Sequence, residues 1–400
     1  MKILLVTADF AARDANPWLL DDLAAALARA GHTVDVLVHN PKVARPRGIN
    51  PEPAPGISVY SVGTIAGTAT RGSKLRSYIA TGVRLHTVGW RFARRSTYDL
   101  CIYTSIGAFS FGFPARIRRQ GIAKALLFIM WDFFPIHQID IGRIRSSWLY
   151  RPLKWLEWLA IRDADIIATM SPANERFLRT YHPRVRSQLT RVPPWASTRV
   201  ESVIKPERRA SFTAVFGGQL VKGRGVDTIL RAAKLLQDDG HSANIIIAGD
   251  GSERTALTAL ARELDLRNVE FVGALPRSEY RDLLQTTHAG IAATVPGVTP
   301  PSFPSKIVEY CANGLPVVVC VEVSSDAGKY VEEHGAGLAV RAGDHVGLAR
   351  ALAALSSEYD AGTLGRWASA AQSLFDNELS VDRAVERIAQ AVYNFRHRVS

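Results

Sequence analysis

The chain has 400 residues, 47% hydrophobic and 22% charged, which describes a globular protein and excludes a disordered or fibrous one. Such a length exceeds one ordinary core and predicts two domains of roughly 200 residues each. The formal net charge of +12 points to a phosphate-bearing small molecule, an acidic membrane surface or nucleic acid as partner, or to no more than an arginine-rich soluble surface.

Apolar runs of strand length alternate with amphipathic runs of helix length, the pattern of βαβ units around a parallel sheet. Lys2–Val6 is the first buried strand, and Pro17–Ala30 the first helix, with Leu20, Leu23, Leu27 and Ala30 on one face. Gly31 stops that helix before the strand Val34–Val38. The Pro- and Gly-containing segment Pro41–Gly72 reads as a long irregular excursion, after which strands are expected at Leu100–Tyr103, Leu126–Met130 and Ile166–Ala168. Between the last two, the spacing predicts a helix over Leu149–Ile161, with Leu149, Leu153, Leu156 and Ala160 facing the core. Its other stripe is Arg151, Trp155, Trp158 and Arg162. A linker from Pro193-Pro194 to about Ala210 leads to a second series. Strands Thr213–Phe216, Asn244–Ala248, Val269–Val272, Gly290–Ala293 and Pro316–Cys320 are interleaved there with helices Val226–Gln237, Arg254–Leu264 and Ser305–Ala312. Two Rossmann-like domains facing across a cleft follow: residues 1–200, residues 211–375, and a C-terminal helix over 376–400 that can cross back to the first domain.

Three widely spaced cysteines (Cys101, Cys311, Cys320) with no CxxC argue against a disulfide framework or zinc site and for a reducing compartment. The opening apolar run is too short for a signal peptide, and no stretch reaches the roughly 20 apolar residues that span a bilayer. A cytoplasmic protein is expected.

Three strand-to-helix loops of the second series carry candidate chemistry. Phe216 to Gly225 holds four glycines with Lys222 and Arg224, which suits a diphosphate cradle at a helix N-terminus or an ordinary glycine-rich turn with exposed cations. Gly249-Asp250-Gly251 is weaker, since one tight turn explains it. In Thr299 to Tyr310, Ser302 is the expected helix cap and Pro304 fits the first turn. Ser305 and Lys306 suit phosphate there, and Glu309, one turn on, suits a ribose diol; the alternative is a capped surface helix with a solvated Glu309.

These three loops together resemble the large retaining glycosyltransferase family 4 of GT-B enzymes, across most of residues 213–355. The family's G-R-L-x-x-x-K-G loop is similar to Gly218-Gln219-Leu220 followed by Arg224-Gly225. The resemblance implies that Gln219 and Arg224 stand where the family's Arg and Lys stabilise the departing diphosphate, with Lys222 supplying the charge that Gln219 lacks. It also implies that Glu309, with Gly314-Leu315-Pro316-Val317-Val318 behind it, binds ribose, while Pro301 replaces the family's first glutamate. Ser305-Lys306 and Glu309-Tyr310 resemble the S-K-x-x-E-Y of polysaccharide-assembly members.

In the first series, Asp9–Asn16 lacks the family's usual glycines. Trp131-Asp132-Phe133-Phe134-Pro135 resembles a D-x-W-P segment, so Asp132 either orients the acceptor or is a buried Asp capping the next turn; His137 nearby is catalytic or structural. Asp163-Ala164-Asp165 spells a DxD but precedes a strand, as in the family's A-D-x-I-I entry, so no metal is expected there. The cations crowding Arg71 to Arg162, with Trp155 and Trp158 flanked by Arg151 and Arg162, suit an anionic membrane surface, each worth about 1 kcal/mol near the leaflet.

The sequence therefore predicts a retaining transferase that takes a sugar from a UDP- or GDP-linked donor to a lipid-linked or polysaccharide acceptor. It is expected to be metal- and cofactor-independent, cytoplasmic and peripheral on the inner face of the cell membrane, with no nucleic-acid partner. A GT-B-fold sugar-nucleotide epimerase and a non-catalytic nucleotide-sugar-binding subunit are the alternatives.

Overall fold

A computed structural model of the chain describes residues 1–8, 10, 19–40, 45–50, 54–64, 71–104, 112–144, 146–197 and 208–399. Of the segments named above, Asp9–Asn16 apart from Phe10, Pro17 at the start of the expected first helix, residues 41–44, 51–53 and 65–70 of Pro41–Gly72, Arg145 and most of the expected linker lie outside them.

The chain divides into two compact units. One comprises Met1–Pro135, Trp148–Pro193 and Val381–Ser400; the other comprises Ile136–Ser147 and Pro194–Ser380. The C-terminal helix Val381–Val399 thus belongs with the N-terminal sheet, where Arg29 bridges Asp382 at 3.1 Å and Gln188 donates to the Ala391 carbonyl at 2.9 Å.

The first unit is built on strands β1 (Lys2–Thr7), β2 (Thr33–Val38), β3 (Arg45–Asn50), β4 (Ile57–Thr64), β5 (Leu100–Thr104), β6 (Leu126–Met130), β7 (Ile166–Thr169) and β8 (Gln188–Arg191). Their order is β3-β4-β2-β1-β5-β6-β7-β8, parallel except for β3. Ile3 pairs with Val34 on one side and Leu100 on the other. Ile3, Leu4 and Leu5 are fully buried, as continuous apolar strands covered on both faces must be.

The second unit holds β9 (Thr213–Gly217), β10 (Asn244–Ala248), β11 (Val269–Gly273), β12 (Ala289–Ala293), β13 (Val317–Val321) and β14 (Gly337–Arg341), all parallel, in the order β11-β10-β9-β12-β13-β14. Helix Val226–Asp238 packs Ile229, Leu230, Ala233 and Leu236 into the same core as Leu348, Leu352 and Leu355 of helix His345–Asp360. All three cysteines are buried and free, and burial pushes the Cys311 and Cys320 thiols up to about 12, so they pack as small apolar groups. No helix among the described residues is long and apolar enough to cross a membrane.

Two expectations are corrected. Pro41–Gly72 is not one irregular excursion, because β3 and β4 form an antiparallel pair within it and β4 pairs with β2. Pro46 and Gly48 hide β3, and a proline is tolerated there because β3 is an edge strand. In β4 the apolar residues Ile57, Val59 and Val62 are buried. The second correction concerns helix Tyr150–Ile161, whose buried residues are Glu157 and Ile161, while Leu156 is exposed. An acidic side chain turns inward because it finds buried hydrogen-bond partners, described below. The helix is thereby rotated: Trp155 is 56% exposed, but Trp158 is half-buried under the Arg162 guanidinium, 5.2 Å from its ring centroid. Trp148, outside the expected stripe, is 76% exposed.

His288, at the entry to β12, links core packing to pH. Its Nδ1 accepts the Thr213 N–H at 3.1 Å, and its ring packs against both Phe212 and Tyr359. Burial, reinforced by Arg208, lowers its pKa to about 4, so the folded unit holds it neutral while the unfolded chain protonates it near 6.5. That stability is complete above 6.5 and is lost as pH falls toward 4, a loss of about 1–2 kcal/mol between pH 7 and 5. His288→Asn keeps an acceptor but cannot titrate. Denaturant unfolding at the two pH values should show the loss shrinking by this amount in the variant; identical pH dependence would contradict the assignment.

Candidate functional site

Strands β9 and β12 are joined by one tyrosine. Gly217, the last residue of β9, donates its N–H to Tyr310 Oη at 2.9 Å, and that hydroxyl approaches the Ile291 carbonyl at 3.3 Å. Glycine is required on both strands. A Cβ on Gly217 would stand 1.9 Å from Tyr280 Oη, and one on Gly290 would stand 2.2 Å from the Tyr310 ring. Tyr310 is fully buried, which holds its phenol above the usual range and keeps it a neutral hydrogen-bonding group. Helix Lys306–Ala312 is therefore fixed against the sheet, and it presents Lys306 and Glu309, each about one-third exposed. Lys306 Nζ donates to Glu309 Oε2 and sits 4.7 Å from the Tyr280 ring centroid.

The glycine-rich loop after β9 is held from two sides. Gly218 N–H donates to Ala248 O at 2.9 Å, Leu220 N–H to Asp250 O at 2.9 Å, and Glu253 N–H to Leu220 O at 2.9 Å. A Cβ on Gly249 would meet Gly218 O at 1.8 Å, and one on Gly251 would meet Leu220 O at 2.3 Å. The Gly249-Asp250-Gly251 glycines thus serve backbone packing between two loops. Around Leu220 the chain exposes Gln219, Lys222 and Arg224, and it turns through Gly223 and Gly225 at φ +95° and +60°. Gly225 packs against the Thr294 carbonyl, which a Cβ would approach to 2.3 Å.

Sequence reasoning missed Glu322, which follows β13 and is buried. Its carboxylate accepts Thr294 Oγ1–H at 2.7 Å and Ser302 N–H at 2.5 Å. It thereby ties the residue behind Gly225 to the proline-rich loop. Ser302 is accordingly not the helix cap: the cap position is Ser305, which is exposed and makes no side-chain cap bond. Pro301 is buried. The short helix Ile136–Asp140, grouped with this unit, adds Asp140, whose Oδ2 accepts the Thr299 N–H at 2.7 Å, and Ile141, against which Gly223 packs. His137 is half-buried on that helix.

Asp132 lies in the other unit, just beyond β6, exposed between buried Trp131 and Phe133. It is therefore not a buried capping residue. Its loop is pinned by Glu157, whose Oε1 accepts the Phe134 N–H at 2.6 Å and whose Oε2 pairs with His182 Nε2 at 2.7 Å. Burial pushes the Glu157 carboxyl up, and His182 opposes that shift. The only sequence signal was an acid among the apolar residues of one helix. In the DxD, Asp165 accepts from Arg118 Nε at 3.1 Å and from Leu126 N–H at 2.8 Å, while Asp163 pairs with Arg162 at 3.2 Å. Both acids hold structure.

The Tyr310 hydroxyl carries a measurable part of this arrangement. Tyr310→Phe leaves the buried Gly217 N–H without its acceptor, and the C-terminal unit should lose about 1–3 kcal/mol. Urea unfolding reads this directly, and wild-type stability would show that the bond is dispensable.

Against known families, residues 200–374 match the glycosyl transferases group 1 model, and residues 19–195 match the glycosyl transferase 4-like domain. No curated protein sequence is significantly similar to the chain. Similar solved structures include sucrose-phosphate synthase from Thermosynechococcus elongatus, 16% identical over 100% of both chains with a TM-score of 0.74. WaaG, a glycosyltransferase involved in lipopolysaccharide biosynthesis, is 14% identical over 98% of both chains with a TM-score of 0.66. Anabaena HepE is 17% identical, covers 98% of this chain and 99% of its own, and has a TM-score of 0.63. At such identities these structures show the fold, which is GT-B. Matched by family models in both halves, the chain belongs to the group 1 glycosyltransferases of GT-B fold.

Proposed function

We propose that the enzyme is a retaining transferase that moves a sugar from a UDP- or GDP-linked donor to a lipid-linked or polysaccharide acceptor in surface glycan synthesis. The observation that carries this reading is the tyrosine-fixed helix that presents Lys306 and Glu309 at the same sheet edge as the cationic glycine loop. HepE, of the same fold, was crystallised with UDP and glucose, and another such structure holds UDP-2-fluoro glucose.

Glu309 accepts the ribose hydroxyls, sharing its Oε2 with Lys306. Ser305 and Lys306 reach the phosphates, and the backbone at Gly218 and Gln219 lines the diphosphate. As the bond from the sugar's anomeric carbon to the diphosphate oxygen breaks, Arg224 and Lys222 offset the charge that develops there. The acceptor hydroxyl oxygen, oriented by Asp132, bonds to that carbon on the same face, and its proton passes to the departing oxygen. Protein cations supply the neutralising charge, so no metal ion is required.

In EDTA the wild-type enzyme should transfer radiolabelled sugar from its nucleotide donor, whereas Arg224→Ala and Glu309→Ala should each lose most activity with the fold intact. The loss corresponds to about 1.5–3 kcal/mol for a charge-assisted bond, and more for Arg224. Wild-type turnover in both variants at saturating donor would refute the site; complete loss in EDTA restored by manganese would refute the leaving-group chemistry.

The acceptor places the enzyme at an anionic membrane surface on the cytoplasmic face. Supporting this, the N-terminal unit exposes Trp148, Arg151 and Trp155 around one helix start, and Ile79 and Val83 on helix Arg71–Arg84. Cosedimentation with anionic vesicles should weaken with salt as the Debye length falls from about 10 Å at 0.1 M to 3 Å at 1 M. It should drop further in Trp148→Ser/Trp155→Ser, while equal binding to neutral vesicles, or none, would overturn the proposal.

A further inference from the structure

We propose that the N-terminal unit carries a second ligand site, for a phosphate-bearing anion, along its edge strand β8 between helices Pro172–Tyr181 and Val381–Val399. A cavity of about 590 Å³ lies there, within the range of small-molecule sites. Its charged walls are Arg179 and Glu175 from helix Pro172–Tyr181, Asp165 and Arg186 from the entries to β7 and β8, and Arg387 and Arg398 from helix Val381–Val399.

Both acids are already engaged. Asp165 is held by Arg118 and the Leu126 amide, and Glu175 bridges Arg179 at 3.2 Å and Arg191 at 3.3 Å. Neither Arg186 nor Arg398 forms an ion pair among the described residues, so the cavity keeps an excess of guanidinium donors. Arg387 and Arg398 stand about three turns apart on one face of their helix, while Arg186 approaches from the sheet. Guanidinium forks lining one cavity match the paired oxygens of a phosphate better than any neutral ligand.

The place is as informative as the charge. Asp165 and Arg186 precede β7 and β8, whereas reactive groups of open α/β sheets collect at the carboxyl ends of the strands. From those entries the cavity runs along Gln188, Leu189 and Thr190 of the edge strand β8 to Glu175, and none of its lining residues belongs to the Asp132 loop. It is independent of the donor site proposed above, whose residues lie in the other unit.

The experiment uses the full chain with its donor site saturated by UDP, titrated calorimetrically with inorganic pyrophosphate. Wild type should bind, and Arg186→Gln/Arg398→Gln should bind at least ten-fold more weakly, with UDP affinity and transfer rate unchanged. A second arm compares retention on vesicles containing phosphatidic acid. Loss of pyrophosphate binding alone in the variant assigns the site to a soluble phosphate ester, and loss of both assigns it to a lipid phosphate headgroup. Absence of pyrophosphate binding to wild type, or equal binding to the variant, overturns the proposal.

Discussion

The site depends on one close approach, that of two tyrosine side chains to glycine backbone on strands β9 and β12 of the C-terminal sheet. With Gly217 and Gly290 lacking Cβ atoms, Tyr280 and Tyr310 can lie directly on the strands, and the Tyr310 hydroxyl can satisfy the buried Gly217 amide. From that anchor the positions of Glu309 and Lys306 follow, since each is within one helical turn of Tyr310. A methyl group at either glycine would move the helix, and with it the carboxylate and ammonium that the helix displays.

A buried carboxylate performs a comparable task in each unit. Glu322 joins Thr294 to Ser302 and so couples the floor of the cationic loop to the proline-rich loop. Glu157 joins His182 to the Phe134 amide and so fixes the segment that exposes Asp132. Neither faces solvent, and each accepts two hydrogen bonds. Removing one partner would strand a buried polar group, which costs more than the bond itself contributes. Rigid loops suit the leaving-group clamp proposed above, because donors held in place before reaction lose no energy to reorganisation.

Most of the fold was legible because fully buried parallel strands appear as continuous apolar runs. β6 and β10 begin and end where the sequence places them and the other expected strands differ by one residue at their ends, but β8 and β14 were missed, because each is a partly exposed edge strand rather than a fully buried one. β3 was hidden because an edge strand tolerates Pro46, which elsewhere signals a loop. The face of helix Tyr150–Ile161 was misjudged for a different reason: apolar spacing alone does not place an acid inside, and only the distant His182 and Phe134 reveal why Glu157 is buried. At the site, Glu309 and Arg224 could be singled out from local spacing and family pattern. Glu322 and Tyr280 could not, since their roles exist only after strands far apart in sequence are brought together. The capping role expected for Ser302 was local chemistry overridden by that same long-range contact.

The central claim is that Tyr310 acts on the donor through Glu309, and a double-mutant cycle on UDP affinity tests it most directly. Calorimetry on wild type, Tyr310→Phe, Glu309→Ala and the double variant gives the four affinities. The account predicts that Tyr310→Phe weakens UDP binding several-fold when Glu309 is present and leaves it unchanged in the Glu309→Ala background. An equal loss in both backgrounds would contradict it, showing that the tyrosine and the carboxylate contribute independently.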